Sequence, residues 1–182
     1  QVIAEMVGPS VVAVNLVGLL AAAGIAVHVW GAGWEKYRIT GMHHHGGLEP
    51  PPNSRVIFFK TKCYVSCGTG GDVGRDLFDA ADAGAVVLRR AHPADRKEGG
   101  IGTLFADGRE YVAFRTAAEL VGTVRTLLGD ERRREALRRA AAERLAASVR
   151  AGGHGRRRAG PGPDFWQYRA VEPGDAARSI DW

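Results

Sequence analysis

From Ser10 to Gly31 the chain reads "SVVAVNLVGLLAAAGIAVHVWG", and this run restricts the possible folds more than any other feature. Ser10 follows Gly8 and Pro9 and can cap a helix, because its hydroxyl accepts an N–H that the first turn leaves unpaired. The residues after it are helix formers until Gly24, which fits the left-handed position that closes helices. "IAVHVWG" then has the length and β-branched content of a buried strand. A helix that passes straight into a short apolar strand is the αβ half of a βαβ unit. The stretch Val11 to Trp30 is apolar enough to raise a membrane span, but Asn15, Gly18, Gly24 and His28 interrupt it and no basic region precedes it. It reads as buried core with no transmembrane segment.

The alternation recurs along the chain. After "GGLEPPPNS", where proline and glycine forbid regular structure, "RVIFFK" is a short amphipathic helix and "KCYVSCG" a strand. The glycine-rich "GTGGDVG" follows, then the helical "RDLFDAADAG" and the strand "AVVLRR". A further strand, "REYVAF", leads to Thr116 with Glu119 three residues on, a capping box that opens "AAELVGTVRTLLG". The expectation is an α/β domain with a mainly parallel sheet, whose runs such as "AVVL" suit strands buried on both faces.

After about Asp130 the composition shifts. Residues 131 to 158 hold ten Arg against three Glu, with Ala, Leu and Val at helical spacing. This predicts an amphipathic helix with a basic outer face that ends at Gly152–Gly153, followed by a flexible linker in "GGHGRRRAGPGP". Overall the net charge is +5 and the pI about 9.6. That tolerates anionic partners without demanding one. Arg156, Arg157 and Arg158 would make a salt-sensitive contact with phosphates, but no nucleic-acid fold accompanies them, so no specific nucleic-acid partner is expected. The two cysteines, Cys63 and Cys67, share a face only if the strand continues between them, and reduced thiols in a cytoplasmic protein are the expectation.

Three places invite chemistry. In "GMHHHGG", His43 and His45 can share one face of an extended chain while His44 cannot, and no Cys or carboxylate nearby completes a ligand set, so no metal site is expected. In "CGTGGDVGRDLFD", Gly68, Gly70 and Gly71 lie between a strand and a helix, where glycine lets the backbone approach an anion and the first helical turn offers free N–H groups. The spacing matches neither the dinucleotide fingerprint nor the P-loop, and a plain βα turn fits as well. Asp79, one turn into that helix, has Arg75 four residues before it. It reads either as a surface carboxylate paired with Arg75 or as a ligand for a ribose hydroxyl at the carboxyl edge of the sheet.

Residues from about 7 to 140 resemble the C-terminal half of a GT-B glycosyltransferase, of the spore-protein CgeB-like or glycosyltransferase family 1-like kind. The resemblance rests on "LVGLLAAAGIAVHVWGAGWE", "HHGGLEPP", "RDLFDAADAGAVVL" and "LFADGREYVAFRTAAELVGTVRTLLGDERRREAL". The third stretch corresponds to the family's R-x-F-E-x-x-x-x-G pattern, whose acidic residue contacts the nucleotide-sugar donor, and Phe78, Asp79 and Gly84 take its places. Asp79 stands where the pattern has Glu, and Arg75 lies one residue further from Phe78. Leu104 to Phe114 reproduce the most specific segment. From about Ala142 the chain also resembles the opening of the bacterial domain of unknown function 58, through "FWQYRAVEPGDAARSIDW".

The first resemblance implies a Rossmann-like three-layer domain, one half of a GT-B fold, over residues 1–140. Residues 141–182 then form a basic helix, a linker and an aromatic tail belonging to a second, incomplete domain. It further implies a nucleotide-diphosphate sugar as substrate, with no separate cofactor. Arg75 and Asp79 take the catalytic positions, and Gly68, Gly70, Gly71, Phe78, Gly84 and Trp30 the substrate-binding ones. The other reading of the chain is a non-catalytic interaction module or fused fragment, whose basic helix and aromatic tail contact a protein partner.

Overall fold

A computed structural model describes residues 2–4, 10–46, 53–67 and 73–155. Its strands are β1 (Val2–Ala4), β2 (Val27–Val29), β3 (Met42–His44), β4 (Cys63–Ser66), β5 (Val86–Arg90) and β6 (Val112–Phe114). They form one sheet in the order β3-β2-β1-β4-β5-β6, and every neighbouring pair is parallel. The register places Val2 beside Val27 on one side and Cys63 on the other, with Cys63 in turn beside Val86. Among the described residues every strand pair is parallel, in line with the expected mainly parallel sheet. β1 carried no signal in the sequence, being three residues long, and β3 is an edge strand of Met42, His43 and His44.

The helices are α1 (Val11–Ala22), α2 (Asn53–Phe59), α3 (Arg75–Asp82), α4 (Ile101–Leu104), α5 (Ala117–Gly129) and α6 (Glu131–Gly155). On one face of the sheet, Ala13, Leu16, Val17 and Leu20 of α1 and Leu120, Val124 and Leu127 of α5 cover Val27, Val29, Cys63, Val65, Val86 and Leu88. On the other, Phe58 of α2, Leu77 and Ala80 of α3, and Ala141 of α6 cover Trp30, Tyr64 and Val87. The alternation of strand side chains between these two layers explains why β4 and β5 look continuously apolar: each face has its own helices. Fully burying one such Leu or Val contributes roughly 1.5–3 kcal/mol.

Local signals hold at most element ends. Ser10 Oγ accepts the Ala13 N–H at 3.1 Å, and Gly24 takes φ 77° after α1. No helix among the described residues is long and apolar enough to cross a membrane. Thr116 Oγ1 accepts the Glu119 N–H at 3.1 Å, but the Glu119 carboxylate reaches the N–H of Arg115, at 2.6 Å, instead of that of Thr116. The capping box is therefore shifted by one residue on its return arm. Both cysteines are buried thiols outside any disulfide, on the α1/α5 face, so the strand direction does persist from Cys63 to Cys67. Burial pushes the Cys63 thiol up to about 11, which leaves it protonated and unreactive.

α6 departs from expectation twice. It runs through Gly152 and Gly153 to Gly155, because helical hydrogen bonding propagates cheaply from a long preceding helix. Its arginines are also not all on the outer face. Arg134 caps the end of α5 through the carbonyls of Leu127 and Leu128, and Arg144 donates to the Leu104 carbonyl at 2.7 Å. The aromatic tail, and with it the expected linker from Arg156 onward, lies outside the described residues.

The charged stretch after β5 conceals a buried ion pair. Arg89 Nε lies 3.1 Å from Asp95 Oδ1, with side-chain exposures of 3% and 9%. The second oxygen of Asp95 accepts the His92 N–H at 2.7 Å and so fixes the helical turn Pro93–Arg96 onto the end of β5. Breaking a buried ion pair by removing one partner costs about 3–5 kcal/mol. Asp95→Ala is expected to lower the urea-unfolding free energy by about that amount, and Arg89→Met with Asp95→Leu to recover most of it.

Candidate functional site

The order of the sheet locates the site before any side chain does. From β1 the chain proceeds through α1 to β2 on one side, and from β4 through α3 to β5 on the other, so the direction of winding reverses between the adjacent strands β1 and β4. In open parallel sheets, ligands bind in the crevice outside the carboxyl ends at such a reversal. β1 and β4 both end at this rim. Gly68, Gly70 and Gly71 come after β4 in the sequence and lie outside the described residues.

α3 begins directly after them. Its start is anchored to β4: the buried Tyr64 hydroxyl donates to the Asp76 carboxylate in the first turn. A Cβ at Gly74 would run into Asp76 Oδ1, so the carboxylate lies across the cap position. Sequence reasoning missed this pair, and the only signal was an acidic residue in a first turn. Arg75 Nε stands 3.5 Å from Asp79 Oδ2, with Arg75 80% and Asp79 31% exposed. The intrahelical pair foreseen as one alternative is thus formed. Pairs of this kind hold about 0.3–0.5 kcal/mol, so a ligand can displace the partner at little cost.

Phe78 is half-buried and packs against Phe105, with ring centroids 6.0 Å apart. Trp30 follows the carboxyl end of β2, on the sheet face that also carries α3, and is only 7% exposed. β1 separates its strand from β4, a lateral distance of about 10 Å. The structure therefore places Arg75, Phe78 and Asp79 together on α3, which starts at the carboxyl edge, and Trp30 two strands away on the same sheet face.

Gly84 does not join them. It follows the C-terminal end of α3 and precedes β5, which places it at the amino edge. It is glycine for local reasons: φ is 84°, and a Cβ would meet the Arg138 guanidinium of α6 at 2.7 Å. Gly84 thus has a helix-terminating and packing reason of its own to be glycine. Gly84→Ala is expected to destabilise the fold by more than about 1 kcal/mol in chemical denaturation while leaving nucleotide-sugar affinity unchanged.

The histidines form a stack, not a ligand set. His43, His28, His45 and Trp30 alternate between β3 and β2, with successive ring centroids 4.8, 5.1 and 4.5 Å apart and planes within 21° of parallel. His28 Nδ1 and His45 Nε2 lie 2.8 Å apart and share one proton. No group of three metal-binding side chains occurs among the described residues. His44 faces the other way and meets the Gly31 carbonyl at 2.9 Å. Burial, then the neighbouring His43, lowers the pKa of both His28 and His45.

A folded-state pKa below the usual value near 6.5 means that the unfolded chain binds protons more tightly. The stack's contribution to stability is full above that value and is lost as pH falls below it. Thermal unfolding is expected to show a falling Tm from neutral pH to about pH 5, with a shallower fall in His28→Gln.

Comparison with known proteins fits this geometry. The sequence model of the glycosyl transferase-like family matches residues 14–152, well over half of the chain. The chain belongs to that family. No curated protein matches it. Among solved structures, TarM of S. aureus superposes with a TM-score of 0.63 at 11% identity, over 85% of this chain and 34% of TarM. The C-terminal domain of a group 1 glycosyl transferase family protein from Francisella tularensis gives 0.62 at 10% identity, covering 82% of this chain and 86% of that domain. A mutant of the T4 phage BGT protein, in complex with UDP-glucose, gives 0.64 at 16% identity, over 84% and 45%. The architecture is a Rossmann-like half of the GT-B fold. This glycosyl transferase-like chain spans about a third of TarM and under half of the T4 phage protein.

Proposed function

We propose that the chain is the donor-binding half of a glycosyltransferase and holds a nucleoside-diphosphate sugar, of the UDP-hexose kind, at the reversal between β1 and β4. The observation that carries this reading is the placement of Arg75 and Asp79 on the first two turns of the helix that follows β4, at the carboxyl edge of a parallel sheet. The family match and the UDP-glucose bound by the T4 phage protein support the choice of ligand.

In this reading the diphosphate lies against the glycine segment and the N-terminal turn of α3, where unpaired backbone N–H groups favour an anion. Arg75, released from Asp79, compensates the charge that develops on the departing nucleoside diphosphate, and Asp79 accepts a hydrogen bond from a ribose hydroxyl. Catalysis of this type rests on positioning and on preorganised positive charge, so it needs no protein nucleophile. Hexosyl transfer as a whole is a proposal for a larger assembly, given the share of its relatives that this chain spans. Donor binding is what it should do by itself.

Thermal unfolding with UDP and UDP-glucose provides the test. At about 100 times the dissociation constant, a ligand that binds only the folded state adds about 2.7 kcal/mol of stability. A rise in Tm is expected with both, reduced strongly in Asp79→Ala and Arg75→Gln. A wild-type Tm indifferent to every nucleoside diphosphate would count decisively against the reading.

A further inference from the structure

A second cleft, of about 690 Å³, opens at the outer end of the sheet. It lies between the turn Pro93–Arg96, α4 and the edge strand β6, beyond the carboxyl end of β5. The donor reading does not use it. One part of its wall is the "LFADGREYVAF" segment that the sequence marked as distinctive.

Most polar groups of that segment have structural work. The Glu110 carboxylate accepts the Ala106 N–H at 2.7 Å, and Asp107 accepts the Ala113 N–H at 2.8 Å. Asp95, on the facing wall, is neutralised by buried Arg89. Three donors remain. Arg96 and Arg115 line the cleft, and the guanidinium of neither makes an ion pair or hydrogen bond among the described residues. Tyr111 also lines it, is only 5% exposed, and its hydroxyl has no protein partner there. The hydroxyl opens into the cleft and is free to donate to an acceptor held there. Burial, with Asp107 and Asp95 nearby, raises the pKa of Tyr111, so the hydroxyl keeps its proton and remains a donor at neutral pH.

We propose that this cleft binds the phosphate group of a small phosphomonoester, held by the guanidinium groups of Arg96 and Arg115 and by the Tyr111 hydroxyl. Two forked cations and one neutral donor suit a terminal phosphate, which offers three strong acceptor oxygens, better than a carboxylate with two. His92 adds a fourth donor to the wall: its Nδ1 accepts the Ala94 N–H at 3.1 Å, which leaves the proton on Nε2. The volume leaves room for an organic group of about the size of a sugar, since small-ligand clefts run from about 300 Å³ upward.

Amide and arginine side-chain NMR, with calorimetry, tests this on the full chain. The probes are inorganic phosphate, glucose 6-phosphate, malonate and UDP. Saturable shifts are expected at Arg96, Arg115 and Tyr111 with both phosphates. Tyr111→Phe should weaken binding about tenfold, as for a hydrogen bond to a charged group, and leave Tm unchanged because that hydroxyl has no protein partner to lose. Arg96→Gln with Arg115→Gln should abolish binding. The proposal is overturned by absence of saturable shifts with either phosphate, by shifts that survive in the double variant, or by malonate binding as well as phosphate. Competition by UDP at these residues would overturn it too, since the cleft would then belong to the donor site.

Discussion

Parallel pairing obliges the chain to return to the same edge of the sheet before each new strand can begin, and every other feature follows from that return. The return segments lie over the two faces, so the central strands are sealed on both sides. All strand ends of one polarity then gather along one rim. Only the carboxyl rim combines loops with the exposed N–H groups of helix starts, so a site for anions has a single natural address. In this molecule the reversal of winding between β1 and β4 selects one point on that rim.

Much of this was legible from pattern. Ser10 and Gly24 bound their helix because a hydroxyl cap and a left-handed closure are local properties, and "AVVL" reads as a doubly covered strand because nothing polar interrupts it. Arg75 and Asp79 were visible as a helical pair by spacing alone. What escaped was whatever depends on partners distant in the chain. β1 exists because β2 and β4 flank it, not because three residues have strong propensity. Gly84 took its place in a motif, but its position relative to the rim could be known only from the direction of α3. The pairing of Tyr64 with Asp76 joins residues that nothing in local composition connects.

The long basic helix shows how composition misleads when direction is unknown. An arginine-rich repeat suggests a solvated face. Yet Arg134 closes α5, Arg138 spreads over Gly84, and Arg144 holds the chain where α4 ends. Each cation meets carbonyls or a bare glycine backbone, so α6 acts as a fastening across three neighbouring segments while Leu137 and Ala141 supply its buried contact.

The buried thiols of Cys63 and Cys67 carry a consequence of another kind. Sealed beneath α1 and α5, with the Cys63 proton held far above neutral pH, they are shielded from oxidants and alkylating agents while the layers stay together. The rate at which a native population loses its thiols to a labelling reagent therefore reports how often the α1/α5 layer lifts from the sheet. The molecule carries a built-in clock for its own opening.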